Sequence, residues 1–218
     1  MVKQQENTQV QIVVDGMTGV GKTTLVNVLA EEMDLVSFTE IFEDENDLLH
    51  KFFHDRERWC FPMQINFLNH RFRQYKEATE KNCAIMDRSI YSDNIFARMY
   101  KEIGYMTVEE YNVYHSLLYN MLESLEPPRL IIYLSVDAKE AIRRIKKRGR
   151  KDELEVEEGY WRKLHRFYEE QYRNYKMGNL LVINANDLDF VKYNDHRKQI
   201  LDTVKHKWEA INEAAVAR

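Results

Sequence analysis

Eight consecutive residues, Gly16-Met17-Thr18-Gly19-Val20-Gly21-Lys22-Thr23, satisfy the spacing GxxxxGK[ST] in full. The glycines let the backbone bend until several N–H groups face one phosphate. A helix starting at the end of the loop adds partial positive charge. Lys22 supplies a mobile cation to the β and γ phosphates. The Thr23 hydroxyl is of the type that ligates Mg²⁺, and Thr24 continues the nucleotide-binding stretch. A glycine turn can match such a pattern by chance. Here a strand-like run precedes the motif and a helical pattern follows it, which is the required context. ATP and Mg²⁺ are the implied ligands. GTPase elements are missing: none of the seven glycines has Asp three residues before it, and no NKxD occurs.

Three further groups carry chemistry. Arg143 to Lys151 reads RRIKKRGRK. Such a run can be a solvated helix end, where cations suit the dipole. Gly149 breaks the run, however, and Arg144 and Arg148 lie one turn apart on one face. Beside a phosphate loop, a segment of this kind can close over the nucleotide, bring arginines to the transferring phosphoryl group and exclude water. Asp87-Arg88-Ser89 ends a strand-like run. Asp87 is placed to meet Mg²⁺ and Arg88 to reach a phosphate or hydroxyl, although an Asp there can also cap the next helix. Glu40 ends another such run, where a carboxylate can take a proton from an attacking hydroxyl or be one surface acid among many.

Periodicity supplies the elements that position these groups. Strands are expected at Val10–Asp15, Val36–Thr39, Cys83–Asp87, Leu130–Val136 and Leu180–Asn184. Helices are expected at Lys22–Met33, Asp44–Asp55, Trp59–Lys81, Ser92–Ile103, Thr107–Leu125, Asp137–Lys147, Glu157–Tyr175 and, mainly helical, Phe190–Ala214. Thr107 and Glu110 make a capping box. Short apolar strands alternating with helices imply an α/β fold with a five-stranded parallel sheet flanked by helices. The stretch between the second and third strands, roughly 40 residues, is longer than one crossover needs.

Composition agrees. The chain has 218 residues, 7 glycines and 3 prolines, which suits a helix-rich single domain spanning 1–218, with its lid at about 143–153. The longest apolar run, Leu130–Leu134, is far short of the roughly 18 residues of a membrane span. Residues 1–9 lack the apolar core of a signal peptide. Cys60 and Cys83 form no metal spacing and are expected to be buried and inert, which fits a cytoplasmic protein. A net charge of -4 argues against a nucleic-acid binder.

Taken together, the phosphate loop, Asp87-Arg88-Ser89-Ile90-Tyr91-Ser92-Asp93 and the stretch Arg144 to Glu153 resemble the deoxynucleoside kinase family, on the side of its bacterial deoxyadenosine and deoxyguanosine/deoxycytidine members. The resemblance runs from the first strand to the fifth and implies a P-loop kinase fold with an arginine-rich lid. It implies transfer of the ATP γ-phosphoryl group to the 5′-hydroxyl of a deoxynucleoside, in nucleotide salvage. By the same resemblance Glu40 is the general base, Arg88 holds the 5′ region, and Asp87 with Thr23 holds Mg²⁺. Lys22 and the lid arginines Arg144, Arg148 and Arg150 stabilise charge, and Glu153 contacts the sugar 3′-hydroxyl.

The base pocket carries over too. Trp59 and Gln64 match a family stretch in which the Gln reads the base edge. Arg71 matches an arginine paired with the aspartate at Asp93, a pair kept by purine and deoxycytidine users. Two departures stand out. Phe53 occupies a place where many members have a Tyr on the 3′-hydroxyl. The segment after Asp93 is one residue short of the animal enzymes, which makes Phe96 the expected stacking aromatic. The resemblance also suggests a homodimer. Alternative readings are a nucleoside monophosphate kinase such as thymidylate kinase, or a non-catalytic ATP-binding module.

Overall fold

A computed structural model describes residues 9–39 and 47–216. β1 (Ile12–Asp15), β3 (Ala84–Asp87) and β4 (Leu130–Ser135) are the most buried strands, and they occupy the middle of the sheet. β2 (Val36–Phe38) and β5 (Leu180–Asn184) flank them, in the order β2-β3-β1-β4-β5, and every neighbouring pair is parallel. Strands covered on both faces need continuous apolar side chains, and β1 and β3 are buried throughout. β2 has a neighbour on one side only, and Val36 there is 44% exposed. The register sets Val14 beside Asp87 and Asp15 beside Tyr133. The carboxyl ends of β1 and β3 therefore open at one rim, where ligands of parallel sheets bind.

The helices largely follow the apolar periodicity. α1 (Lys22–Met33) starts directly after the phosphate loop. α2 (Leu48–His54) and α3 (Arg56–Thr79) fill the long excursion; residues 44–46 of the expected helix lie outside the described residues. α3 begins three residues earlier than expected, because Asp55 caps it by accepting the Arg58 N–H at 3.1 Å. Pro62 therefore sits inside the helix, at the cost of one backbone bond. A 3₁₀ turn at Ile90–Ser92 leads into α4 (Asp93–Glu102). α5 (Val108–Leu122) opens with the Thr107–Glu110 capping box.

α6 (Ala138–Arg148) ends on Gly149, whose φ of +73° stops the helix as its position in the basic run suggests. A one-turn helix that periodicity does not reveal, α7 (Lys151–Leu154), separates it from α8 (Glu158–Arg173). α9 (Asn194–Val216) starts four residues after Phe190, which packs against Gly21 of the phosphate loop instead of entering the helix. Cys60 is buried, and burial, with the Glu110 charge adding to it, pushes its thiol up to about 12. Cys83, expected to be buried, is half-buried because it lies at the amino end of β3, beside the edge strand. Among the described residues no helix is long and apolar enough to cross a membrane.

Candidate active site

The phosphate loop leaves β1 at Asp15 and takes a path that side chains would block. At Gly16, φ is +149°, and a Cβ would sit 2.6 Å from the Leu134 carbonyl oxygen. At Gly19, φ is +87°, and a Cβ would lie 2.8 Å from Ile145 Cγ1 on α6. The loop is thus wedged between β4 and α6. Met17 and Val20 are buried beneath it. Lys22 Nζ donates to the Met17 carbonyl at 3.1 Å, which folds the cation back over the loop.

Asp87, at the end of β3, faces Thr23: the threonine hydroxyl donates to Asp87 Oδ2. Asp87 Oδ1 is buried and has no hydrogen-bond partner. An orphaned carboxylate oxygen beside a threonine hydroxyl, at the mouth of a phosphate loop, fits a hard divalent cation that takes its other ligands from phosphate and water. Among the described residues no group of three His, Cys, Asp or Glu is arranged for a metal, and a phosphate-borne Mg²⁺ needs none. The helix cap that an Asp at this place can provide comes from Ser89, whose Oγ accepts the Tyr91 N–H at 3.4 Å.

Arg88 adopts φ +64°, a left-handed conformation that a non-glycine residue rarely takes. Its N–H donates to the Val14 carbonyl at 2.9 Å, and its guanidinium lies 5.3 Å from the Phe96 ring centre. Together these aim the side chain into a cavity of about 390 Å³. That cavity brings together Thr18, Phe53, Gln64, Arg71, Arg88 and Phe96, with Arg150 and Glu153 from the far side. Gln64, Arg71 and the intervening Phe67 share one face of α3. Arg71 pairs with the buried Asp93, the first residue of α4. Trp59 is absent from the cavity wall; half-buried near the start of α3, it packs against the core, with Lys51 Nζ 5.0 Å from its ring. Glu40 lies outside the described residues.

A second cavity, of about 420 Å³, opens on the other side of the loop. Gly19, Val20 and Gly21 form one wall, Arg144 and Arg148 another, and residues 186–191 after β5 the third. The three lid arginines, expected to act as one set, are therefore divided. Arg144 is anchored: Glu140, one turn earlier, accepts its Nε at 2.6 Å, and the carbonyls of Val20 and Ala185 accept its Nη atoms at 3.2 and 2.7 Å. Arg148 instead donates to Glu153 at 2.6 Å, and Arg150 lies 3.6 Å from the same carboxylate. The Arg148–Glu153 pair bridges the two cavities, since Arg148 lines one and Glu153 the other.

Several cavity residues escape the sequence reading. Arg56 donates to the Tyr105 hydroxyl at 2.8 Å. The hydroxyls of Tyr100 and Tyr160 meet at 2.9 Å, and burial pushes the Tyr160 phenol up to about 12. Aromatic residues at helical spacing read as core, so only the face shared by Arg56, Met63, Phe67 and Arg71 on α3 could have flagged part of this wall.

A parallel sheet with a phosphate loop at its carboxyl rim, an acid at the end of a neighbouring strand and an arginine-bearing lid define a P-loop kinase. The family follows from comparison: the sequence model of the deoxynucleoside kinase family matches residues 12–208, and the chain belongs to that family. It is 33% identical over 211 residues to a deoxyguanosine kinase of Lactobacillus acidophilus, covering 93% of this chain and 92% of that one. It is 36% identical over 198 residues to the deoxyadenosine/deoxycytidine kinase of Bacillus subtilis, covering 88% and 90%. The structure of deoxyadenosine kinase from M. mycoides with bound dATP superposes with a TM-score of 0.78 at 31% identity, covering 90% of this chain and all of that one.

Proposed function

We propose that this kinase transfers the γ-phosphoryl group of ATP to the 5′-hydroxyl of a deoxynucleoside, deoxyadenosine foremost, with deoxyguanosine and deoxycytidine also accepted. The observation that carries this is the pair of cavities meeting at one phosphate loop, Thr18 opening to one and Gly19–Gly21 to the other. ATP takes the second cavity, its phosphates over residues 16–24. The deoxynucleoside takes the first. There Gln64 donates and accepts at the base edge, and Arg71, fixed by Asp93, stands beside it.

Glu153 receives the sugar 3′-hydroxyl, opposite Phe53. Glu40, which follows β2 by two residues in sequence, takes the 5′-hydroxyl proton as that oxygen attacks. Lys22, Arg88 and the lid arginines Arg144, Arg148 and Arg150 balance the charge that spreads over the phosphoryl oxygens. Thr23 and Asp87 would hold Mg²⁺, which would supply neutralisation of phosphate charge. The enzyme works in the cytoplasm as a homodimer.

The test offers ATP-Mg²⁺ with the four deoxynucleosides and their monophosphates. Phosphorylation of deoxyadenosine is expected; phosphorylation of monophosphates alone would sink the reading. Glu40→Gln should cut turnover by about 100-fold or more while ATP still binds. Near-normal turnover would remove Glu40 from the mechanism.

A further inference from the structure

α2 carries two exposed histidines, His50 and His54. They stand four residues apart and so share one helix face. Their rings meet edge to face, with centres 4.3 Å apart and planes at 69°. The two Nε2 atoms are 3.0 Å apart. A neutral imidazole has one N–H and one lone pair, whereas a protonated one has two N–H groups. Two protonated rings could not make this contact, so at least one lone pair points at the meeting place. Asp47 Oδ2 lies 3.5 Å from His50 Nδ1. That acid favours a proton on Nδ1 and leaves His50 Nε2 as the acceptor, with His54 Nε2–H as the donor.

The spacing also suits a metal ion. Bonds from a divalent metal to imidazole nitrogen are about 2.0–2.1 Å long. Two such ligands at a right angle, as in octahedral or tetragonal sites, therefore lie about 3 Å apart. An ion entering between the rings needs both Nε2 lone pairs, so His54 would carry its one proton on Nδ1 instead. The acid behind His50 is the usual partner of a ligating imidazole: it fixes the tautomer and the ring orientation. Among the described residues no third His, Cys, Asp or Glu joins the pair, so water would complete the coordination. Nitrogen ligands of this kind select nickel, copper and zinc over magnesium and calcium, which prefer oxygen.

The position gives such an ion something to hold. α2 has seven residues and no side-chain hydrogen bond at its N-cap. So short a helix depends on packing. Leu48 and Phe52 are its buried residues, and Leu49, Phe52 and Phe53 wall the acceptor cavity. A metal bridging His50 and His54 would tie one turn of this helix from its outer side.

We propose that His50 and His54 are a chelating pair for one divalent transition-metal ion of the nickel, copper and zinc group, with Asp47 orienting His50, and that the bound ion staples α2. The site is separate from Thr23 and Asp87 and does not depend on which acceptor the enzyme uses.

The test is calorimetric titration of the full-length protein with NiCl₂ in a buffer that does not bind metal. The tightest Ni²⁺ equivalent of the wild type should weaken at least about 10-fold in His54→Gln and in His50→Gln, because two linked ligands bind far better than one. Both side chains are exposed, so neither substitution disturbs the core. His206→Gln removes an exposed imidazole on α9 and should leave that equivalent unchanged. Unaltered binding in the two α2 variants, or equal weakening in all three, would overturn the proposal. Mg²⁺ in about 100-fold excess should not displace the ion, and displacement would place it on oxygen ligands elsewhere. Saturating Ni²⁺ should raise the melting temperature of the wild type more than that of His54→Gln. Equal shifts would overturn the staple.

Discussion

Arg71 and Asp93 are ion-paired across the floor of the acceptor cavity, with Asp93 the more deeply buried partner. The pair joins α3 to the first turn of α4, and Gln64 faces the cavity two turns earlier on the same helix. Breaking a buried pair from one side strands the other charge, which costs about 3–5 kcal/mol. Arg71→Met should therefore lower stability by that amount in urea denaturation. It should also raise KM for deoxyadenosine more than KM for ATP, since the cavity proposed for ATP lies beyond the loop. An unaffected KM for deoxyadenosine would remove the pair from base recognition.

Asp87 and Thr23 make the second test. Asp87→Asn retains the shape and the bond from Thr23 but takes away the negative charge that this pair offers a divalent cation. Turnover should fall by about 100-fold or more, and more Mg²⁺ should be needed for half-maximal rate. Chelation of Mg²⁺ from the wild-type assay should abolish transfer. Activity that persists in excess chelator would contradict a Thr23–Asp87 cation site.

Phe53 is 38% exposed and lines the same cavity as Glu153. Phe53→Tyr adds a hydroxyl where the solvent-facing rim leaves room. If that hydroxyl bonds the sugar, affinity should rise by about 0.5–1.5 kcal/mol for substrates with a 3′-hydroxyl. Comparing KM for deoxyadenosine and 2′,3′-dideoxyadenosine checks this. Equal changes for the two would show that the ring only packs.

Much of this site is legible in the chain because its parts are local. The phosphate loop, Asp87-Arg88 and the lid are each a few adjacent residues with a fixed order of charge and glycine. Gln64 and Arg71 are seven apart, two turns on one helix face. What stays hidden depends on tertiary placement. Asp15 reads as the polar stop of a strand until Tyr172, far along the chain, is seen donating to it. Tyr100 and Tyr160 read as core until their hydroxyls meet in the cavity wall. The division of the lid arginines depends on Glu140, an acid that reads only as part of α6's first turn.

Glu140 also gives the lid a pH dependence. Arg143 binds it through two nitrogens at 2.7 Å, and Arg144 through Nε at 2.6 Å. The Arg143 hydrogen bond, followed by Arg144, holds the Glu140 carboxyl down at about 2 against an ordinary 4.5. A carboxyl depressed in the folded state contributes stability that is full above the unfolded value and lost as pH falls through the folded one. The contribution should thus be constant above about pH 4.5 and fade toward pH 2. Glu140→Gln lacks it at every pH. The melting temperatures of wild type and Glu140→Gln should differ by a constant amount between neutral pH and about pH 5, then converge at lower pH. The variant should also raise KM for ATP, because Arg144 loses the acid that aims it at the Val20 carbonyl. Parallel melting curves down to pH 3 would show that the acid does not stabilise the folded lid.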